Sequence, residues 1–158
     1  MTTSPPGKSI IKFIRQHHVI TLSTCVNNVP WSCSCFYTFM EDEIALVFTS
    51  GFETRHVSEA QQNEQVSGII VLETKIIGKI KGIQFSGRME LAEGNPLEKA
   101  KKAYLKRFPF AALMDTTLWM VYIDFLKMTD NNLGFGKKLI WERGLSDNLV
   151  DSNLKTKK

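Results

Sequence analysis

The chain has 158 residues, with 20 Lys and Arg against 16 Asp and Glu for a formal net charge of +4, and 43% of it is apolar. That length buries a core as one domain without staples, and no apolar run reaches the roughly 20 residues of a membrane-spanning helix. Three of the cations, Lys155, Lys157 and Lys158, close the chain and leave the body nearly neutral. A sequence-independent nucleic-acid binder concentrates more charge than this, so neither nucleic acid nor membrane is expected as a partner.

The first residues, MTTSPPGKS, lack the apolar core of a signal peptide, and a cytoplasmic location is expected. Residues 1–8 are expected to be a flexible entry, with Pro5-Pro6 extended. A short helix follows from about Ser9 to Gln16, with Ile10, Phe13 and Ile14 on one stripe and Ser9 as its cap. It ends at His17-His18, two adjacent side chains that diverge in direction and so do not share a metal.

The stretch Val19 to Ser50, VITLSTCVNNVPWSCSCFYTFMEDEIALVFTS, organises the rest. It reads as three consecutive antiparallel strands, broken at Asn27-Asn28 and at Glu41-Asp42-Glu43. Asparagine tolerates the positive φ of a tight hairpin turn. A turn centred on Asn27-Asn28 sets Leu22 opposite Cys33 and Ile20 opposite Cys35. One face then carries Ile20, Leu22, Thr24, Trp31, Cys33, Cys35 and Tyr37, fit for a packed interior. The other carries Val19, Thr21, Ser23, Cys25, Pro30, Ser32, Ser34 and Phe36, with small hydroxyls that leave room for something flat and polar. A slip of one residue would exchange the two faces.

Three cysteines suit a reducing compartment. Cys33 and Cys35 stand two apart in a strand, at the edge of disulfide reach, and Cys25 faces neither. Nothing in their spacing suggests zinc, so no metal is expected and the thiols read as small buried hydrophobes.

Thr49 and Ser50 run through Gly51 into a helix of about Thr54 to Gln62, with Val57 and Ala60 inward. Hydroxyls, a glycine, Arg55 and His56 thus gather at a strand-to-helix junction. Free amides, the helix dipole and a guanidinium there suit a phosphate.

Two strands come next, Val66 to Glu73 and Gly82 to Ala92, linked by the exposed loop KIIGKIK. In the second, Ile83, Phe85, Gly87, Met89 and Leu91 alternate with Gln84, Ser86, Arg88 and Glu90, a period of two. Asn95-Pro96 opens a helix to about Arg107 with Leu97, Ala100, Tyr104 and Leu105 apolar, ended by Pro109. A strand over Leu118 to Met128, a turn at Asp130-Asn131-Asn132 and a last strand over Gly134 to Trp141 complete the body. A domain over residues 9–143 and a polar tail over 144–158 are expected. The order of elements predicts a small antiparallel β-barrel, α+β overall.

These residues, VITLSTCVNNVPWSCSCFYTF, LVFTSGFETRHVSEAQQNEQVSGIIV and GIQFSGRMEL, resemble the FMN-binding split β-barrel superfamily of the pyridoxamine 5′-phosphate oxidases. The resemblance extends over about residues 9 to 142, and is strongest to a bacterial branch whose chains also end in a Lys-Lys-x-x-Trp-like segment. It implies a split barrel of about six to seven strands with two to three flanking helices, a homodimer, and FMN at the dimer interface. By matching positions, Thr49, Ser50, Thr54 and Arg55 would surround the phosphate, with His56 where many relatives carry Lys. Ser32, Ser34 and Phe36 would flank the isoalloxazine or ribityl chain, Gln84 and Ser86 would approach from the partner subunit, and Trp141 would cover a ring face.

Two functions follow as expectations. One is an FMN-dependent oxidoreductase in which the flavin, not a protein acid, base or nucleophile, carries the chemistry on a small-molecule substrate. The oxidases' arginine and histidine that hold pyridoxal phosphate have no counterpart beyond Glu142-Arg143, which argues against pyridoxamine 5′-phosphate oxidase activity itself. The alternative is a non-catalytic binding module without flavin, holding haem through His17 and His18 or serving as a sensor or partner protein. Oligonucleotide binding ranks below both, because Trp31, Tyr37 and Trp119 sit in apolar alternation instead of among cations.

Overall fold

The computed structural model describes residues 4–114, 117–133 and 137–145. Residues 1–3 of the expected flexible entry, 134–136 of the last expected strand and most of the expected tail lie outside the described residues. Helix α1 (Lys8–Gln16) leads into β1 (Val19–Val26), β2 (Val29–Met40) and β3 (Ala45–Thr49). Then come α2 (Arg55–Gln62), β4 (Gln65–Val71), β5 (Lys81–Leu91), α3 (Gly94–Arg107), β6 (Leu118–Asp130) and β7 (Lys138–Glu142). Pro109, expected only to stop α3, opens a short 3-10 turn over Pro109–Leu113 after Phe108 has ended the helix. No helix among the described residues is long and apolar enough to cross a membrane.

The expected hairpin register holds. Ile20 pairs with Cys35 and Leu22 with Cys33, while Asn27 and Asn28 take φ of 52° and 63°, the left-handed values a two-residue hairpin turn demands. The seven strands form one antiparallel sheet, ordered β3-β2-β1-β4-β5-β6-β7, and β3 also pairs with β6. Six strands therefore close a ring and β7 hangs from its edge. The split lies in β6, whose Leu118–Tyr122 half pairs with β3 and whose Phe125–Thr129 half pairs with β7.

Arg143 stitches this split. Its Nε donates to the Ile123 carbonyl at 2.8 Å, and Nη2 reaches the Glu43 and Ile44 carbonyls at 3.3 and 3.2 Å. Ile44 has φ of 50°, an uncommon conformation for a β-branched residue, and its carbonyl is further held by the Ile123 amide at 3.0 Å. On the other side of β6 a bulge falls at Ser86/Gly87, where a Cβ on Gly87 would lie 2.1 Å from the Tyr122 carbonyl oxygen. Only glycine lets the two backbones approach so closely.

Ile20, Leu22, Leu46, Phe48, Ile70, Ile83 and Ile123 fill the ring, joined by Ile10, Phe13 and Ile14 of α1. The Tyr37 hydroxyl, fully buried, donates to the Ile14 carbonyl at 2.6 Å and fastens α1 to β2. A second core lies outside the ring, where Ala100 and Tyr104 of α3 cover Met40, Ala45, Val47, Leu118 and Met120. This cover ends where Phe108 meets Phe36, ring centroids 5.7 Å apart. Beyond it the outer face of β1, β4, β5 and the first half of β2 carries no helix among the described residues: Val19, Phe36, Ile69 and Val71 are all exposed there.

Trp31 departs from the expected interior face. It stands at the start of β2, beyond the reach of the core, and is 41% exposed under the guanidinium of Arg55.

Candidate functional site

The bare outer face is built by strand pleating. Ser32 pairs with Ser23, Ser23 with Ser67 and Ser67 with Ser86, a row of hydroxyl residues across four strands. The next row is Ser34, Thr21, Ile69 and Gln84. The hydroxyls of Ser23 and Ser32 are bonded at 2.8 Å. Ser32, Ser34, Phe36 and Gln84 are exposed and Ser86 half-buried. Ser32 and Ser86 are three strand spacings apart, about 14 Å at about 4.8 Å each.

The β3–α2 junction meets strand β2 at Trp31, the sequence neighbour of Ser32. Thr54, the residue before α2, turns its hydroxyl onto the Gly51 carbonyl at 2.8 Å and does not cap the helix. The first-turn amides of α2 thus carry no side-chain cap, the condition that suits an anion. Ser50 is fixed by three bonds: its amide to the Thr117 carbonyl, its carbonyl from the Trp119 indole at 2.9 Å, and its hydroxyl to His56 Nε2 at 2.7 Å. Ser50 and Thr54 hydroxyls are 3.1 Å apart.

Arg55 spends its Nε on Glu59 at 2.7 Å and lays its guanidinium 4.3 Å over the Trp31 ring, next to Ser32 in sequence. Glu59 also accepts the Thr24 hydroxyl at 2.5 Å. The Thr24 bond, and then the Arg55 one, hold the Glu59 carboxyl below its ordinary range. The guanidinium is half-exposed and keeps its terminal nitrogens as donors, so the junction retains a cation for an incoming oxyanion.

Ser50, Thr54 and His56 thus form one bonded cluster with Thr49 and Arg55 beside them in sequence, and Ser32, Ser34 and Phe36 share the outer face of β2. Gln84 and Ser86 share that face as well, but at its far side. Trp141 does not join them. It is 4% exposed, packed in the ring's core, and its indole N–H donates to the Ser4 carbonyl at 2.8 Å. The aromatic ring is consumed by the core because β7 folds its inward face over the end of the ring. His17 and His18 also separate: His17 Nδ1 donates to the Phe13 carbonyl at 2.9 Å, whereas His18 is exposed.

One grouping is absent from the sequence reading. The Sγ atoms of Cys33 and Cys35 lie 3.8 Å apart, and a ring nitrogen of His56 completes a trio whose atoms are all within 4.8 Å. The hydrogen bond from Cys35, aided by His56, pushes the Cys33 thiol down to about 5 against the opposing effect of burial. The same bond and burial push Cys35 up. The pairing of the thiols on one face was legible from the hairpin register; the arrival of His56 was not, since it depends on where α2 lands.

Solved structures give the class of the fold. The chain matches a heme binding protein from Mycobacterium smegmatis with a TM-score of 0.70 and 18% identity, over 88% of this chain and 59% of that one. It matches an FAD-binding protein from Mesorhizobium loti at 0.62 and 14%, over 81% and 97%. A Listeria innocua protein assigned as a pyridoxamine 5′-phosphate oxidase matches at 0.61 and 15%, over 76% and 94%. The chain shares the split-barrel fold of these proteins.

Within that class the sequence is more specific. Over 134 residues the chain is 41% identical to a UPF0306 protein of Photorhabdus laumondii, covering 85% of this chain and 94% of the relative. A UPF0306 protein of Yersinia pestis is 40% identical over the same length, with 91% of it covered. The chain belongs to the UPF0306 family. No protein-family model matches it.

Proposed function

We propose that this chain binds FMN on the bare outer face of the barrel, at the interface of a homodimer, and acts there as a flavin-dependent oxidoreductase on a small molecule. The observation that carries the reading is a hydroxyl-lined, partly apolar sheet face on the same strand, β2, that the half-exposed arginine of an uncapped helix N-terminus reaches at Trp31. A flavin mononucleotide has the same composition: a flat ring, a hydroxylated chain and a terminal phosphate.

The residues present fit that group. Thr49, Ser50, Thr54, Arg55 and the first amides of α2 supply hydroxyl, cationic and backbone donors for the phosphate. His56 acts on this end through Ser50, whose hydroxyl it fixes. Ser32 and Ser34 offer hydroxyls to the chain and ring, and Phe36 an exposed aromatic edge. A bound flavin would supply hydride chemistry at its N5, so the protein's own part is to bind, orient and exclude water.

Gln84 and Ser86 stand about 14 Å across the sheet from Ser32, too far to hold one ring from within a single chain. A two-fold axis over the bare face brings them against the first hairpin of a second copy and buries Val19, Ile69 and Val71 at the same time. Arg143 is committed to the barrel seam through three backbone carbonyls, which argues against its holding a pyridoxal phosphate.

The test is the absorbance spectrum of the full chain after incubation with FMN, with thermal unfolding beside it. A flavin spectrum that co-purifies with a dimer is expected, and FMN at a hundred times its Kd raises stability by about 2.7 kcal/mol. Arg55→Ala is expected to weaken FMN by about 1.5–3 kcal/mol, roughly 10- to 150-fold in Kd, and to leave the dimer intact. A stable monomer that binds FMN overturns the shared site, and a chain that takes haem but not flavin overturns the flavin reading.

A further inference from the structure

We propose that Cys33, Cys35 and His56 form a zinc site, with two sulfurs and one imidazole nitrogen as ligands and the fourth position open to water. The trio joins two elements, since both thiols point inward from β2 and the imidazole comes from the first turn of α2.

Geometry favours a metal over a simple apolar contact. Two sulfurs about 2.3 Å from a tetrahedral zinc stand about 3.8 Å apart. The Sγ atoms of Cys33 and Cys35 are 3.8 Å apart as they stand. The imidazole has to close only the remaining distance, from within 4.8 Å to the roughly 3.5 Å expected between sulfur and nitrogen ligands. Ser50 holds its Nε2 at 2.7 Å and limits the ring's freedom, the kind of support that ligating histidines receive from outer groups.

The surroundings agree. Cys33 and Cys35 are only partly buried, at the margin of the core, so an ion has an entry path and a solvent ligand a place. Along Val29–Phe36, β2 pairs with β1 on one edge, and β3 joins the other edge only from Tyr37 onward. The thiols sit on that half of the strand. A two-sulfur, one-nitrogen donor set is soft and selects zinc over magnesium or calcium. Coordination removes a thiol's proton, so a bound dication would hold both sulfurs as thiolates.

The site touches the proposed phosphate end only through the Ser50–His56 bond, and its test separates the two readings. Full-length chain is stripped of metal under reducing conditions and titrated with Zn2+ against a chromophoric chelator, then with Co2+. One Zn2+ per chain is expected, and Co2+ should give thiolate charge-transfer absorption with the visible bands of a tetrahedral ion. Cys33→Ser and Cys35→Ser should each weaken Zn2+ at least a hundredfold, while Cys25→Ser, an exposed thiol outside the trio, leaves it unchanged. Circular dichroism on each variant reports folding. If a serine variant does not fold, the Co2+ spectrum of the intact chain alone decides, and absence of thiolate bands there overturns the site. Unchanged affinity in the folded Cys33→Ser/Cys35→Ser variant, or equal loss in Cys25→Ser, overturns it too. In the same double variant FMN binding should persist, and in Arg55→Ala zinc binding should persist, so either assignment can fail alone.

Discussion

The barrel has two outer faces that differ in what covers them. Over β3, β6 and the second half of β2, the outward residues Met40, Ala45, Val47, Leu118 and Met120 lie under α3 and are buried. Over β1, β4, β5 and the first half of β2, the outward residues are Val19, Thr21, Ser23, Ser32, Ser34, Phe36, Ser67, Ile69 and Gln84, under no helix among the described residues. Strand β2 belongs to both and changes character at Phe36, its pattern going from largely exposed over Val29–Phe36 to buried over Tyr37–Met40. A face packed by its own chain is apolar and small, so that a helix fits close. A face left open is hydroxylated with isolated large apolar residues, the surface that the proposed flavin and second copy would cover.

Mutations separate these two kinds of surface. Tyr104→Ala, on the inward side of the covering helix, should cost about 3–5 kcal/mol by opening a cavity in the second core. Urea unfolding would show it, and a cost below 1 kcal/mol would mean that α3 contributes little to the fold. Phe36→Asp, on the open side of the boundary, should cost the isolated fold little and abolish the proposed dimer, a loss read by sedimentation. A dimer that persists in this variant would move the interface elsewhere.

Acid should weaken the β5–β6 ladder at its Lys81–Asp130 end. Asp130 is 4% exposed and pairs with Lys81 Nζ at 2.7 Å while accepting the Asn132 amide at 3.0 Å. Burial raises its pKa, but the Lys81 and Asn132 bonds outweigh it and hold the carboxyl below its ordinary 3.8. A carboxyl depressed on folding contributes stability at pH values above its unfolded pKa, and that contribution disappears as pH falls through the lower folded value. Asp130→Asn should therefore lose about 1.5–3 kcal/mol at neutral pH and show a flatter stability curve below pH 4, measured by denaturant unfolding across pH. A parallel offset at all pH values would show that the ion pair is not the source.

The smallest effect is the most diagnostic. Ser34→Ala removes an exposed hydroxyl and should change stability by no more than about 0.5 kcal/mol. Its FMN affinity should fall several-fold all the same. If both stay unchanged, the hydroxyl row is a solvated surface and the ligand lies elsewhere.

Much of this was fixed locally. The Asn27-Asn28 turn and the alternation around it set the hairpin register, because a two-residue turn with positive φ at both positions permits one pairing and the side-chain period of two assigns every face. The junction at Thr49 to His56 was likewise visible as a composition of hydroxyls, glycine and cation between a strand and a helix, whereas Thr54 turning away from the cap was not. Trp31 and Trp141 were not decided there. Both are aromatic residues in apolar alternation, and only the ring's closure put one at its open margin and the other in its core. Which outer face stays bare was also decided by tertiary structure, since β3 must meet β6 before α3 has a surface to cover. The meeting of Cys33, Cys35 and His56 belongs to the same level: sequence periodicity orders side chains along one element, whereas the distance between a strand and a helix 20 residues on is set by packing.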